Sequence, residues 1–486
     1  MQQSKLVKHL EELPNKEKER FRVFINSAYF NQHQKTIELL EILLSYIDHP
    51  KGKSVTREHT FSLLFPGEDY DEQQMHNIMS YLKKLYHKFL AYRHFEEEDL
   101  QEQLYTVEQA FTFNQYDLMN NRSRQLEKKL ENYPYRNSEY FHIYYRLNNL
   151  LGFYSGNYID RSLSSTFQDM LYNLDKYYII EKLRNCCHLT ANSILMNTKY
   201  DYGFLGDLLT FIENNWDFFE KERGIVLYYN ILMSLQDEQN PVFYEKLKDL
   251  LNTQLKYFSR LEVNDLYGFS YNYCIRQINL GNSEYQRELF ELYQEGVKKE
   301  LLINNGILSE WDYKNVVTLG CKLQEFNWTE KFINAYKEKL PASKRENAYK
   351  YNLANLFYNK KQYDEALETL LHVEFTDVKY HLNTTFLLLR TYYALKDTEA
   401  LLSLIETFRI YVIRNKKMTT DQKKGYTNFL RFAKKLVLLK HQSATYTRKS
   451  LREKVENLAQ KINQTSNVIN KYWLLEECQM AETVSR

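Results

Sequence analysis

Glycine and proline are scarce in this chain, at 13 and 6 of 486 residues. Together they make up about 4% of the sequence, against roughly 12% in an average chain. Tight turns between strands depend on these two residues, so their scarcity argues against a sandwich, a barrel or a glycine-looped α/β enzyme. The glycines never cluster into a phosphate-cradling loop, and neither HExxH, GxSxG nor a kinase-like motif set occurs. Cysteine is also sparse. Cys186, Cys187, Cys274, Cys321 and Cys478 are odd in number and contain no CxxC pair. That speaks against a disulfide framework or a zinc site and fits a reducing compartment. No apolar run reaches the length of a membrane span. The first residues, MQQSKLVKHLEELPNKEKERF, are charged from the fifth onward and lack the apolar core of a secretory signal. The net charge is +2 with 26% charged residues. This balance argues against a disordered chain and a uniformly basic nucleic-acid coat. These absences predict a cytoplasmic protein with no catalytic residues, no cofactor, no metal and no membrane association.

What the chain has is helical periodicity and aromatic rings, with 42 Tyr and 28 Phe. Over residues 71–93, Met75, Ile78, Met79, Leu82, Leu85, Tyr86, Phe89 and Leu90 recur at spacings of three and four, the stripe of an amphipathic helix. Asp69 or Asp71 can cap its start, and Glu72 suits the positive end of the helix dipole. Three shorter helices precede it. Pro14 suits a first helical position, followed by Phe21, Phe24 and Ile25. A second stripe, Ile37, Leu40, Leu43, Leu44 and Ile47, is stopped by Pro50 and Gly52. Thr56 opens a third helix that ends at Phe65–Pro66–Gly67. Residues 1–99 therefore read as a helical unit, with the acidic run at 96–99 as its boundary. Residues 100–340 read as degenerate helical repeats, with pairs at 202–235, 242–280 and 285–340, and 341–486 as clearer repeats followed by basic helices. Pro134, Pro241 and Pro341 mark turns between helices.

The stretch 348–374 carries the most specific pattern. Leu353 and Ala354 are followed by Phe357, a polar turn runs from Asn359 to Gln362, and Tyr363 opens a helix containing Ala366, Leu367, Leu370 and Leu371. The two alanines allow close approach of paired helices, and Phe357 and Tyr363 would fill the space beside them. Leu388, Leu389, Tyr392 and the run Asp397 to Leu401 repeat the pattern with a shorter turn. This looks like a tetratricopeptide repeat, which needs stacked neighbours to bury its faces. The chain as a whole resembles a group of uncharacterised bacterial proteins with degenerate tetratricopeptide repeats. The resemblance rests on Glu17 to Phe21, Ser27 to Asn31, Leu64–Phe65–Pro66, Tyr351 to Leu371, Leu387 to Tyr393 and Phe408 to Arg414. It implies an all-α fold, an α-solenoid of antiparallel helix pairs in a tetratricopeptide-like right-handed superhelix with an N-terminal helical cap. It implies no activity.

Reactive residues form no convincing constellation. In Cys186–Cys187–His188, neighbours on a helix point about 100° apart, which suits neither a chelate nor a nucleophile–base pair. His87 and His94 lie seven residues apart, beyond one-turn metal spacing. The carboxylates at 96–99 read as a solvated face. The tyrosine runs 140–146, 176–180 and 227–230 suit stacking on bases but suit helix packing better. Charge is more telling. Residues 409–461 hold 15 Lys/Arg against 3 Asp/Glu, a local +12 on a chain whose remainder is acidic. Arg414, Lys416, Lys417, Lys423 and Lys424 flank a turn and form the candidate partner-binding cluster. Three readings stay open for the segment: a solvated helix face, a dock for an acidic protein surface, or a contact to nucleic-acid phosphates. The expected function is a protein–protein interaction scaffold that binds a peptide or helix of another protein. The alternative is a nucleic-acid-associated regulator that uses the basic segment or a helix-turn-helix-like element within 51–93, where seven Lys/Arg face five Asp/Glu.

Overall fold

The computed structural model describes residues 4–48, 56–158, 164–196, 198–237, 240–374, 378–442 and 445–483. Pro50 and Gly52, the expected stop of the second stripe, lie outside the described residues. The described residues are all-helical apart from turns and one two-residue hairpin. None of their helices is long and apolar enough to cross a membrane. The hairpin pairs Ile303 with Leu308 and Asn304 with Ile307. Its Asn305–Gly306 turn has φ of 51° and 79°, the combination that a two-residue hairpin loop demands. Helical periodicity gives no hint of this hairpin; the Asn-Gly pair does.

The chain forms two compact units, residues 1–229 with 256–259, and residues 230–255 with 260–486. The first holds α1 (Lys5–Glu12), α2 (Asn15–Asn26), α3 (Gln34–Asp48), α4 (Arg57–Leu64), α5 (Glu72–Glu97), α6 (Asp99–Thr112), α7 (Tyr116–Glu131), α8 (Ser138–Tyr158), α9 (Ser164–Met196), α10 (Leu205–Asn214) and α11 (Trp216–Phe219). Helix α12 (Arg223–Gln236) begins in the first unit and ends in the second. The second unit continues with α13 (Val242–Thr253), α14 (Arg260–Asn279), α15 (Tyr285–Lys298), α16 (Glu310–Lys322), α17 (Phe326–Tyr336), α18 (Arg345–Asn359) and α19 (Tyr363–Leu371). It ends with α20 (Val378–Leu395), α21 (Thr398–Arg414), α22 (Thr420–His441), α23 (Arg448–Gln464) and α24 (Lys471–Thr483).

In the first unit, α1 to α5 share a core that includes Leu10, Phe21, Phe24, Ile25, Leu40, Leu43, Leu82, Leu85 and Phe89. Asp71 caps α5 by accepting from the Gln74 amide, and Thr56 caps α4 by accepting from His59. Pro14 sits one position earlier than expected. It is the N-cap of α2, and its carbonyl accepts from the Glu17 and Lys18 amides. Leu90 is 43% exposed rather than part of the stripe, because a helix of 26 residues at 3.6 per turn rotates it off the face that Phe89 occupies. A second core joins Leu104, Val107 and Ala110 of α6 to Met119 and Leu126 of α7 and Ile143 and Leu147 of α8.

A single turn geometry recurs along the chain. Asn114, Gln324, Lys361 and Lys396 all have φ between 55° and 64°. At each, the left-handed residue donates to the carbonyl three residues back and the next residue donates to the carbonyl five back, as in Gln324 to Cys321 and Glu325 to Gly320. This is the double hydrogen bond that closes a helix C-terminus. The next helix starts two residues later every time. The positions seven before and five after the left-handed residue are buried in all four cases: Val107 and Met119, Val317 and Thr329, Ala354 and Ala366, Leu389 and Leu401. The alanine pair legible in the sequence is thus one instance of a register that the other three fill with larger or polar residues. Around it, Leu353, Phe357, Tyr363 and Leu367 are half-buried, Tyr363 meets the Tyr358 ring at 5.5 Å, and Leu371 is 63% exposed. Tyr351 and Leu356 carry more of the α18 core than the sequence pattern assigned to them.

Helix α16 meets α17 closely at Gly320, where an added Cβ would lie 2.2 Å from Thr329 Oγ1 and 3.2 Å from the Phe290 ring. Gly268 within α14 has open space instead. Gly320→Ala is expected to destabilise the protein by about 1–3 kcal/mol through overpacking. Gly268→Ala is expected to be neutral or stabilising by up to about 1 kcal/mol, as is usual in a helix interior. Paired thermal and denaturant unfolding of the two variants checks the contrast, and equal behaviour would contradict the packing described.

Candidate functional site

The basic segment begins on α21. Leu401, Ile405, Phe408 and Val412 bury its inner stripe in a core shared with Phe429, Leu430, Leu436, Leu458 and Trp473. The helix ends at Asn415, whose side chain accepts from the Lys417 amide at 2.8 Å. Met418 is buried in the same core and anchors the turn. Thr419 then opens α22 with a reciprocal cap: its hydroxyl accepts from the Gln422 amide at 3.2 Å, and its own amide donates to the Gln422 side chain at 3.0 Å. The turn between the two helices is therefore fixed at both ends.

This turn holds Arg414, Lys416, Lys417 and Lys424 exposed, and none of the four forms an ion pair among the described residues. Lys423 departs from the expected cluster. It is half-buried, and its ammonium donates to the Ile413 carbonyl at 3.0 Å. A cation at the C-terminal end of a helix satisfies a carbonyl that has no intrahelical donor. Elsewhere in the segment, Arg409 and Lys434 share Glu406, Lys440 pairs with Glu477, and Arg452 pairs with Glu456. Hydrogen bonds from Lys434 and then Arg409 hold the Glu406 carboxyl below its ordinary range. Four of the segment's unpaired cations thus gather at the α21–α22 turn, while Arg431, Lys435, Arg448, Lys449, Lys454 and Lys461 are spread along α22 and α23. Beside it, Ile410 and Ile413 are 44% and 51% exposed. They fall off the buried stripe of α21, and the helical wheel is the sequence signal that could have found them. Exposed aliphatic side chains next to unpaired cations suit an amphipathic, acidic surface. The arrangement offers no nucleophile, base or phosphate cradle.

Of the aromatic residues in the segment, Phe429 and Phe432 are core residues. Tyr411 lies 3.7 Å from the His381 ring and Tyr426 packs edge-on to Phe408, while Tyr446 donates to Gln442. They are packing residues, not a stacking platform. Tyr228 and Tyr229 are buried. Tyr177 stacks on His142 and Tyr178 on Phe204. The carboxylates at 96–99 are not merely solvated. Glu96 and Glu97 bind Arg93 at 2.6 and 2.9 Å, Glu98 lies 3.0 Å from His94, and Asp99 pairs with Lys129. Arg93 also reaches back to Glu17 at 2.8 Å, tying α5 to α2. Among the described residues no group of three or more His, Cys, Asp or Glu side chains could hold a metal ion. Cys186 and Cys187 are buried, with the Cys187 thiol 3.3 Å from the Tyr228 carbonyl, whereas His188 is exposed.

All five cysteines are free and buried. Burial pushes the Cys274 and Cys321 thiols up to about 12, so neither ionises at neutral pH. Titration of the native chain with a thiol-specific disulfide reagent is expected to modify less than about one cysteine per chain, and all five after denaturation. Fast labelling of a native thiol would contradict the burial. Compared with known proteins, the chain matches no family model, and no curated protein is significantly similar to it.

Proposed function

We propose that the chain is a non-enzymatic binding scaffold of the degenerate tetratricopeptide-repeat type, acting in the cytoplasm. In this reading it is an α-solenoid of antiparallel helix pairs with an N-terminal helical cap, following a right-handed superhelix. Two features support it. The same closing turn and buried register recur four times, and helices pack mainly on those next to them in sequence, such as α18 on α19 and α19 on α20. Nearest-neighbour packing is the signature of stacked repeats.

The observation that carries the partner assignment is the α21–α22 turn, where Arg414, Lys416, Lys417 and Lys424 stand unpaired beside exposed Ile410 and Ile413. The ligand that complements it is an acidic amphipathic peptide or helix of another protein, with apolar residues on the isoleucines and carboxylates on the cations. The local +12, together with exposed Lys83, Lys84 and Lys88 on α5, favours nucleic acid as the second reading.

Affinity capture from native lysate with the full chain, Ile410→Ser/Ile413→Ser and Lys416→Ala/Lys417→Ala/Lys424→Ala separates the two. The scaffold reading expects one stoichiometric protein that survives nuclease and about 200 mM salt. Both variants should bind it about tenfold or more weakly, since tenfold corresponds to about 1.4 kcal/mol. Nucleic-acid binding through four phosphate contacts would fall about 100-fold between 50 and 200 mM salt and ignore the isoleucines. That outcome would replace the scaffold reading.

A further inference from the structure

Four alternate helices of the second unit, α18, α20, α22 and α24, bring their polar and aromatic side chains together around one guanidinium. Arg390 and Tyr393 lie three residues apart on α20 and so share a face. The Arg390 guanidinium lies over the Tyr358 ring of α18 at 5.7 Å and the Trp473 ring of α24 at 5.6 Å. Tyr393 meets Trp473 edge-on at 5.2 Å, and the Lys440 ammonium of α22 stands over the Tyr393 ring at 4.4 Å.

Arg390 is half-buried, its Nε is shielded from solvent, and it forms no hydrogen bond and no ion pair among the described residues. The two ring faces offset part of its charge. They leave its N–H donors, which point outward in the guanidinium plane, unfilled. A desolvated charge without a partner is costly, and buried polar groups are nearly always satisfied by something. Two further donors beside it are in the same position. The Tyr393 hydroxyl and the Trp473 Nε1 are buried without a hydrogen bond. The first faces Glu477 and the second faces the Tyr358 hydroxyl, but neither pair reaches hydrogen-bond geometry.

The sign of the missing partner follows from the charges. Lys440 is bound to Glu477 at 3.2 Å, which leaves Arg390 as the uncompensated positive group. We infer that Arg390 binds a carboxylate on its planar fork, with the Tyr393 hydroxyl or the Trp473 N–H as a further donor. A guanidinium pairs at two points with a carboxylate or a phosphate. Glu477, beside the site, repels a dianion about twice as strongly as a monoanion, which favours the carboxylate. The group can belong to a free organic acid or to a side chain or terminus of a protein ligand. The inference does not rest on the scaffold reading, and its failure would leave that reading standing.

Isothermal titration of the full chain with acetate, with benzoate and with an N-acetylated tetraglutamate peptide, matched for ionic strength with KCl, tests this. Saturable carboxylate binding at one site per chain is expected. Tighter binding of a free acid or of the peptide identifies the source of the group. Arg390→Met should bind at least about tenfold more weakly, and Arg390→Lys, which keeps the charge but loses the fork, should fall between it and the wild type. Without ligand, Arg390→Met should unfold at the wild-type midpoint or above it, because an unpaired charge is replaced by an apolar chain of similar length. Acetate should raise the midpoint of the wild type and not that of Arg390→Met. Absence of saturable carboxylate binding by the wild type, unchanged affinity in Arg390→Met, a lower ligand-free midpoint in that variant, or tighter binding of phosphate or sulfate would overturn the assignment.

Discussion

A buried phenol brings a hydroxyl with it, and that hydroxyl must be satisfied; much of this structure follows from that demand. Tyr228, Tyr244, Tyr273 and Tyr313 are among the largest fully buried side chains. The Tyr244 hydroxyl donates to Glu288 at 2.6 Å and lies 3.1 Å from the Cys274 sulfur, which links α13 to α15 and α14. The Tyr313 hydroxyl donates to the Ile333 carbonyl at 2.7 Å, binding α16 to α17. Tyr229 does the same to Glu213. Leaving such a group unpaired costs about 1–3 kcal/mol, so Tyr244, Tyr313 and Tyr229 each fill space and fix the position of a neighbouring helix. Tyr244 and Tyr273 stack with centroids 4.0 Å apart. A leucine core would bury comparable area without specifying those partners.

Scarce glycine shapes the turns in the same way. A left-handed C-terminal residue is ordinarily glycine, and any other residue there costs roughly 1–2 kcal/mol. Here Asn114, Gln324, Lys361 and Lys396 occupy it. Two backbone hydrogen bonds close each turn, and a buried residue on either side holds the two helices against each other. Packing on both flanks thus sustains a backbone conformation that the local sequence disfavours. Glycine takes left-handed positions too, at Gly67, Gly203, Gly281 and Gly306, and at Gly320 it allows close approach of two helices.

Charge on the helix surfaces is paired in some places and left free in others. Arg93 is held by Glu17, Glu96 and Glu97. The cations of the α21–α22 turn stand in solvent instead, where they cost little and attract anionic groups over about a Debye length.

Spacing along the chain alone gave the helical class, the Thr56 cap, a choice of Asp69 or Asp71 for the cap of α5, the inner stripes of α2, α3 and α5, and the alanine pair Ala354 and Ala366. These depend on spacing along one helix or across one turn, which is local information. It also located the basic segment, since charge is counted without a structure. Only the tertiary structure decided which cations remain unpaired, that Lys423 is spent on a carbonyl, and that the carboxylates at 96–99 are bound to Arg93, His94 and Lys129. The recurring turn register was hidden because Val107, Val317 and Leu389 stand where Ala354 does, and no shared residue type marks the position.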